Sequence, residues 1–140
     1  MYAIVNSQEM KTYDNNTITY FGVPSLVLME RAALACVDII EKQISSGRVL
    51  IVAGVGNNGG DGIAIGRILH TKGYEVEIAV IGNLEKMSEE TKTQKGMADK
   101  YGIFITDHIP EKSYDMIVDS IFGIGMNRNV EGIYREAIDT

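Results

Sequence analysis

The sequence has 140 residues, the size of one small domain, and its 45% hydrophobic and 23% charged residues are typical of a globular protein and not of a disordered chain. The 19 acidic residues outnumber the 13 basic ones, and the net charge of −6 argues against a nucleic-acid partner. The apolar runs fall far short of the roughly 20 residues of a membrane span, and the single cysteine suits a reducing compartment, so we expect a cytoplasmic protein without membrane contact.

Two helices are predicted first along the chain. Residues 6–9 have the form of a capping box and begin a helix that we expect to end near Gly22. Pro24 suits the first turn of a second helix. One apolar stripe marks the face of this helix that should pack on a sheet: Leu26, Met29, Ala33, Cys36 and Ile40. Cys36 is therefore expected to be a core residue.

Strands and helices alternate over the rest of the chain. The continuous apolar run 49–53 is typical of a central strand covered on both faces. The segments that follow a glycine-rich loop are a helix ended by Gly73, a strand over 76–81, a polar helix over 89–101, a short strand over 103–105 and an apolar strand over 116–122. Such alternation requires parallel pairing with helical crossovers. The predicted fold class is α/β, a three-layer α/β/α Rossmann-like sandwich with a mainly parallel sheet.

The loop over 54–62 contains the pattern Gly-x-Gly-x-x-Gly between a predicted strand and a predicted helix. Glycines permit positive φ angles and close backbone approach, and the N–H groups at the start of the helix can bind a phosphate. A tight turn without a ligand is the alternative interpretation.

Two details argue against common nucleotide-binding enzymes. The acidic residue that a dinucleotide-binding dehydrogenase places about 20 residues after its glycines is missing. The loop also lacks the Gly-Lys-Ser/Thr of nucleoside triphosphate sites. Asp61 instead adds a carboxylate, which serves either as a charge in the first turn of the helix or as an acceptor for a neutral part of a ligand.

Three segments in order resemble the YjeF N-terminal domain family. They are the run 56–62 followed by Arg67, the helix segment 24–33, in which Ala-Ala stands where the family usually has Ala-Gly, and the segment 115–125 followed by Arg128. The resemblance covers nearly all of residues 1–140, which we interpret as a single domain of this type that lacks its final strands and helices. We place Arg67 outside the site, as a brace on the helix surface.

The resemblance implies an isomerase, an NAD(P)HX epimerase (NAD(P)H-hydrate epimerase). Such enzymes interconvert the R and S forms of hydrated NADH and NADPH in metabolite repair, so that a partner dehydratase, sometimes fused, can restore the cofactor. It also implies that a potassium ion is held with the help of Asn58 and Asp119. The substrate-binding residues that it implies are Asn57, Asn58, Gly59, Gly60, Asp61, Gly123, Ile124, Gly125, Met126, Asn127, Arg128 and Asn129.

Asp119 is the predicted catalytic residue. Epimerisation at C6 of the hydrated ring can proceed by loss of the hydroxyl and return of water to the other face, which a general acid would accelerate. Asp119 ends a buried strand at the edge where ligands bind in open α/β sheets. A loop-bracing carboxylate is the alternative, and the roles of acid and ion ligand make opposite demands on its protonation.

The competing function is a non-catalytic nucleotide-binding or scaffold module of the same fold. Both signature loops are intact, which favours the enzyme. The chain stops inside a helix that starts near Glu131, and we expect the apolar surface left uncovered to favour a homodimer.

Overall fold

The computed structural model describes residues 2–3 and 22–128. The strands are β1 (Tyr2–Ala3), β2 (Arg48–Ala53), β3 (Glu75–Val80), β4 (Phe104–Thr106), β5 (Met116–Ser120) and β6 (Gly125–Arg128). The helices are α1 (Ser25–Gln43), α2 (Asn57–Thr71) and α3 (Glu89–Lys100), and a 3-10 turn covers Leu84–Lys86. The helices predicted to begin at residue 6 and near Glu131 lie outside the described residues.

The strands form one sheet in the order β1-β6-β5-β2-β3-β4. Strands β5, β2, β3 and β4 are parallel, whereas β6 is antiparallel to both of its neighbours, β5 and β1. The predicted α/β class with a mainly parallel sheet is therefore confirmed. Val52 pairs with Asp119 and Ala53 with Ser120, so the carboxyl ends of β2 and β5 are level at one edge of the sheet.

Strand β2 is the centre of the core, and its residues 49–53 are fully buried, as predicted. Val49, Ile51 and Ala53 pack in one cluster with residues of α1, α2 and α3. The alternating Leu50 and Val52 point to the other face, in a cluster that includes Tyr114. Among residues 22–128, no helix is long and apolar enough to cross a membrane.

Helix α1 begins directly after Pro24, which is its N-cap, and the predicted stripe is buried except at its first residue. Leu26 is 37% exposed, and Leu28 is buried in its place. The prediction that Cys36 is a core residue is confirmed, since it is 2% exposed. Burial, with a smaller contribution from the nearby charge of Asp61, raises the pKa of the Cys36 thiol to about 11.

Candidate functional site

The two loops that follow β2 and β5 meet at the carboxyl edge of the sheet. The N–H of Gly54 donates to the carbonyl of Ser120 (3.2 Å), and the side-chain amide Nδ2 of Asn58 donates to the carbonyl of Phe122 (2.9 Å). In a parallel sheet this edge is where ligands bind. The two segments predicted to form one crevice are thus directly bonded to each other.

The glycines of the first loop pack the protein against itself. A Cβ on Gly59 would lie 1.8 Å from the carbonyl oxygen of Gly54, and one on Gly62 would lie 1.9 Å from Oγ of Ser120. Within the described part of the chain, the glycines with positive φ all lie outside residues 54–62. The close approach at these glycines is that of α2 to the sheet and to the loop beside it.

The first turn of α2 offers unused hydrogen-bond donors. Its N-cap is Gly56, which has no side chain to cap the helix. The N–H of Gly59 donates to the carbonyl of Gly56, but the N–H groups of Asn57 and Asn58 have no acceptor among residues 22–128. The positive end of the helix dipole reinforces these donors. The turn can therefore bind an anion.

Asn58 and Asp119 hold the same dipeptide of the second loop. Oδ1 of Asp119 accepts from the N–H of Ile121 (3.0 Å), while Asn58 binds the carbonyl of Phe122. One carboxylate oxygen of Asp119 therefore braces the loop, which is the alternative role considered for this residue. Its side chain is partly exposed and leaves β5 on the same face as Ile117, opposite the face that carries α2.

The second loop is shorter than predicted, because residues 125–128 form β6 and pair with β5. Ile124 and Met126 are 4% and 1% exposed, so their side chains belong to the packed interior, and their place in the substrate site stays a prediction. Their spacing of two residues was the signal for a strand. Gly125 pairs with Asp119 and stays at the carboxyl edge, and Gly123 lies in the remaining loop.

Arg128 lies further along β6, and its place in the substrate site also stays a prediction. Its backbone pairs with Met116, three residues from Asp119 and hence about 10 Å from the carboxyl edge. Asn127 pairs with Ile117 in the same strand, and Asn129 lies outside the described residues. The backbone of β6 thus leads away from the edge where the two loops meet.

Two buried charges lie on α2. Asp61 is 6% exposed, so its side chain lies in the packed interior and not in an open loop. Arg67 was expected on the surface, but it is 9% exposed and pairs with Glu30 of α1. This ion pair joins two of the three recognised segments, and its partners are 37 positions apart, so no local pattern predicts it.

Sequence reasoning also missed the contribution of α3. The N–H of Ser88 donates to the carbonyl of Val55 (2.9 Å), and Oγ1 of Thr91 donates to that of Gly56 (2.7 Å). Both residues lie at the amino end of a helix interpreted only as a polar surface. The glycine loop is thus bonded on one side to α3 and on the other to the β5 loop.

The opposite, amino edge of the sheet has a groove of about 570 Å³. Its charged residues are bonded to one another: Arg48 pairs with Glu75 (2.6 Å), and Asp115 accepts from the backbone N–H of Arg48 (2.8 Å). Within the described residues, no group of three or more His, Cys, Asp or Glu side chains could hold a metal ion. The carboxyl edge remains the candidate site.

Comparison with protein families decides the relationship. The model of the YjeF-related protein N-terminus matches residues 25–140. The chain belongs to this family. A yeast protein, ynu0, has a crystal structure with the same fold, with a TM-score of 0.73 at 20% identity over 99% of this chain and 64% of that one.

Curated relatives of this YjeF N-terminal chain are named NAD(P)H-hydrate epimerase. The relative from Limosilactobacillus reuteri is 50% identical over 97% of this chain, and that from Oenococcus oeni is 43% identical over 96%. A third, from Limosilactobacillus fermentum, is 46% identical over 96% of the chain. The chain spans 65–66% of the length of these three relatives.

Proposed function

We propose that this chain has NAD(P)H-hydrate epimerase activity and interconverts the R and S forms of hydrated NADH and NADPH. The observation that carries the proposal is the 50% identity to a relative of that name. The bond between Asn58 and Phe122, which joins two loops at the ligand-binding edge of the sheet, supports it.

The substrate is a dinucleotide with two phosphates, and the first turn of α2 suits one of them. The N–H groups of Asn57 and Asn58 would donate to phosphate oxygens, with the helix dipole behind them. The side chain of Asn57 is exposed and available for a further contact. Gly59 and Gly60 are buried and would contribute by letting α2 approach the loop closely, and Gly123 flanks the same edge.

Asp119 is proposed as the general acid. Its carboxyl would protonate the C6 hydroxyl, which leaves as water while the ring nitrogen donates its electron pair to form an iminium ion. Water then adds to C6 from the other face, and its proton returns to the carboxylate. The partial exposure of Asp119 and its engagement through only one oxygen within the described residues leave the second oxygen available for this step.

Asn58 and Asp119 are the residues that would hold a potassium ion. Nδ2 of Asn58 is used by Phe122, which leaves its amide oxygen available. The ionised carboxylate of Asp119 would be a second hard donor, a role that is the alternative to general acid. A bound cation would supply positive charge beside the loop carbonyls. The structure links the two side chains through residues 121 and 122 and not directly.

The test is a coupled assay. A dehydratase specific for the S form is added to a mixture of both epimers, and the protein should accelerate consumption of the R form. Asp119→Asn should reduce this rate to the spontaneous one while the ligand still binds, and Asp99→Asn, an exposed carboxylate on α3, should leave it unchanged. Survival of the accelerated rate in Asp119→Asn would remove the general-acid assignment.

The biological setting follows from the same proposal. The protein would act in the cytoplasm, and its functional partner would be an NAD(P)HX dehydratase. We also propose a homodimer, supported by exposed apolar residues on α1, namely Leu26, Val27 and Leu34. Light scattering at micromolar concentration tests the last point, and a clean monomer would contradict it.

A further inference from the structure

We infer that Thr91 is a positioning residue, which fixes the direction of the loop N–H groups that face the substrate. The inference rests on the proposed function. The glycine loop and its support differ in exposure, because Gly56 and Asn57 are exposed whereas Thr91 is fully buried. A glycine loop has little conformational preference of its own, so its geometry must be imposed from outside.

The support consists of two hydrogen bonds from the amino end of α3. Oγ1 of Thr91 donates to the carbonyl of Gly56 (2.7 Å), and the N–H of Ser88 donates to the carbonyl of Val55 (2.9 Å). Thr91 is itself held, because Oγ of Ser88 donates to Thr91 Oγ1 (2.9 Å) and accepts from its backbone N–H (3.2 Å). The hydroxyl of Thr91 is thus oriented before it reaches the loop.

These two bonds, together with the bond from the N–H of Gly59 to the carbonyl of Gly56, direct the loop donors. The peptide bonds are trans, so each N–H is directed opposite to the carbonyl of its own peptide group. With the carbonyls of Val55 and Gly56 directed to α3, the N–H groups of Gly56 and Asn57 are directed away from α3. The β5 loop lies on that side, where Asn58 binds Phe122. Thr91 therefore presents anion-binding donors to the crevice without touching the ligand.

The test compares Thr91→Val, which keeps the size and removes the hydroxyl, with Thr91→Ser, which retains it. Thr93→Val is the matched control, since Thr93 is exposed on the same helix. For Thr91→Val we expect KM for the hydrated dinucleotide to rise about five- to tenfold with kcat within about twofold, because the loop binds non-reacting phosphate. Thr91→Ser and Thr93→Val should keep the original KM.

A second readout does not depend on activity. Backbone ¹⁵N order parameters of Gly56 and Asn57 should fall from about 0.85 towards 0.6 in Thr91→Val and stay high in both other variants. If wild-type protein shows no epimerisation, the proposed function fails, and the order parameters alone decide the role of Thr91. Unchanged KM and unchanged order parameters in folded Thr91→Val would overturn the inference.

Should Thr91→Val fail to fold, Ser88→Pro provides the second variant. Ser88 has a φ of −66°, which proline adopts, and the change removes both the N–H that binds Val55 and the Oγ that holds Thr91. Lower order parameters at Gly56 would support the inference, and unchanged ones would contradict it.

Discussion

Replacing Gly59 by alanine should destabilise this protein, although the same change stabilises most helices. The Cβ of alanine would lie 1.8 Å from the carbonyl oxygen and 2.6 Å from the carbonyl carbon of Gly54. Both are backbone atoms, so no side-chain rotation relieves the clash. The loop is also restrained, because the N–H of Gly54 is bonded to the carbonyl of Ser120. The change must therefore move α2 away from the sheet edge.

Two opposing contributions set the magnitude. Alanine gains about 1 kcal/mol over glycine in a helix interior. Displacing close-packed backbone by more than an ångström costs roughly 3 kcal/mol, at the upper end of overpacking effects. The net loss is about 2 kcal/mol in the free energy of unfolding. At about 4 °C per kcal/mol for a domain of this size, Tm should fall by about 8 °C.

Thermal and urea unfolding followed by circular dichroism measure this loss. Gly96→Ala in α3 is the matched control, because a Cβ there meets no atom within 4 Å. It should raise the free energy of unfolding by about 1 kcal/mol. An unchanged or higher Tm for Gly59→Ala, with the expected rise for Gly96→Ala, would refute the conclusion that packing requires glycine at residue 59.

Three further predictions concern buried polar groups. Glu30→Ala leaves the guanidinium of Arg67 buried without its ion pair and should lower the free energy of unfolding by about 2 kcal/mol, whereas Glu89→Ala on the surface should change it by less than about 0.5. Burial raises the pKa of Cys36 to about 11 in the fold, so this thiol should react with a thiol reagent at pH 8 only after denaturation. The free energy of unfolding should also fall as pH rises above about 9, because the thiol of the unfolded chain ionises first. Burial acts to raise the pKa of Glu77, but the hydrogen bonds from Lys112 and Tyr114 outweigh burial and lower this pKa. The stabilisation that Glu77 contributes is therefore complete above about pH 4.5 and is lost on acidification. Glu77→Gln should reduce this loss, which acid titrations measure.

Local patterns predicted the helices and strands of the parallel core well. The apolar run 49–53 is a central strand, and α2 ends at Thr71, just before Gly73, which has the positive φ of +94° expected of a stop. The strand predicted over 116–122 ends at Ser120, because Asp119 binds the N–H of Ile121 and turns the chain. The end of a strand thus depends on side-chain hydrogen bonds, which the periodicity of apolar residues does not reveal.

The features that were missed depend on distant partners. Strand β6 forms because β5 offers a free edge, and the glycine and asparagine of β6 outweigh the short strand signal of Ile124 and Met126. Arg67 is buried because Glu30 meets it from another helix. Thr91 supports the glycine loop across 35 positions. For the candidate site, the sequence therefore indicated the loops and the edge, but not what holds them in place.

The packing role of the glycines bears on how this motif diverges among related chains. Gly59 and Gly62 pack against the strand ends and loops behind them, and the side chain of Asn58 holds the β5 loop, whereas the side chain of Asn57 is exposed. Selection for a folded domain and selection for the proposed ligand thus act on different residues of one short motif. A duplicated copy freed from that ligand would retain the glycines and Asn58 and could lose Asn57, so residue 57 is the better guide when sorting binding from non-binding descendants.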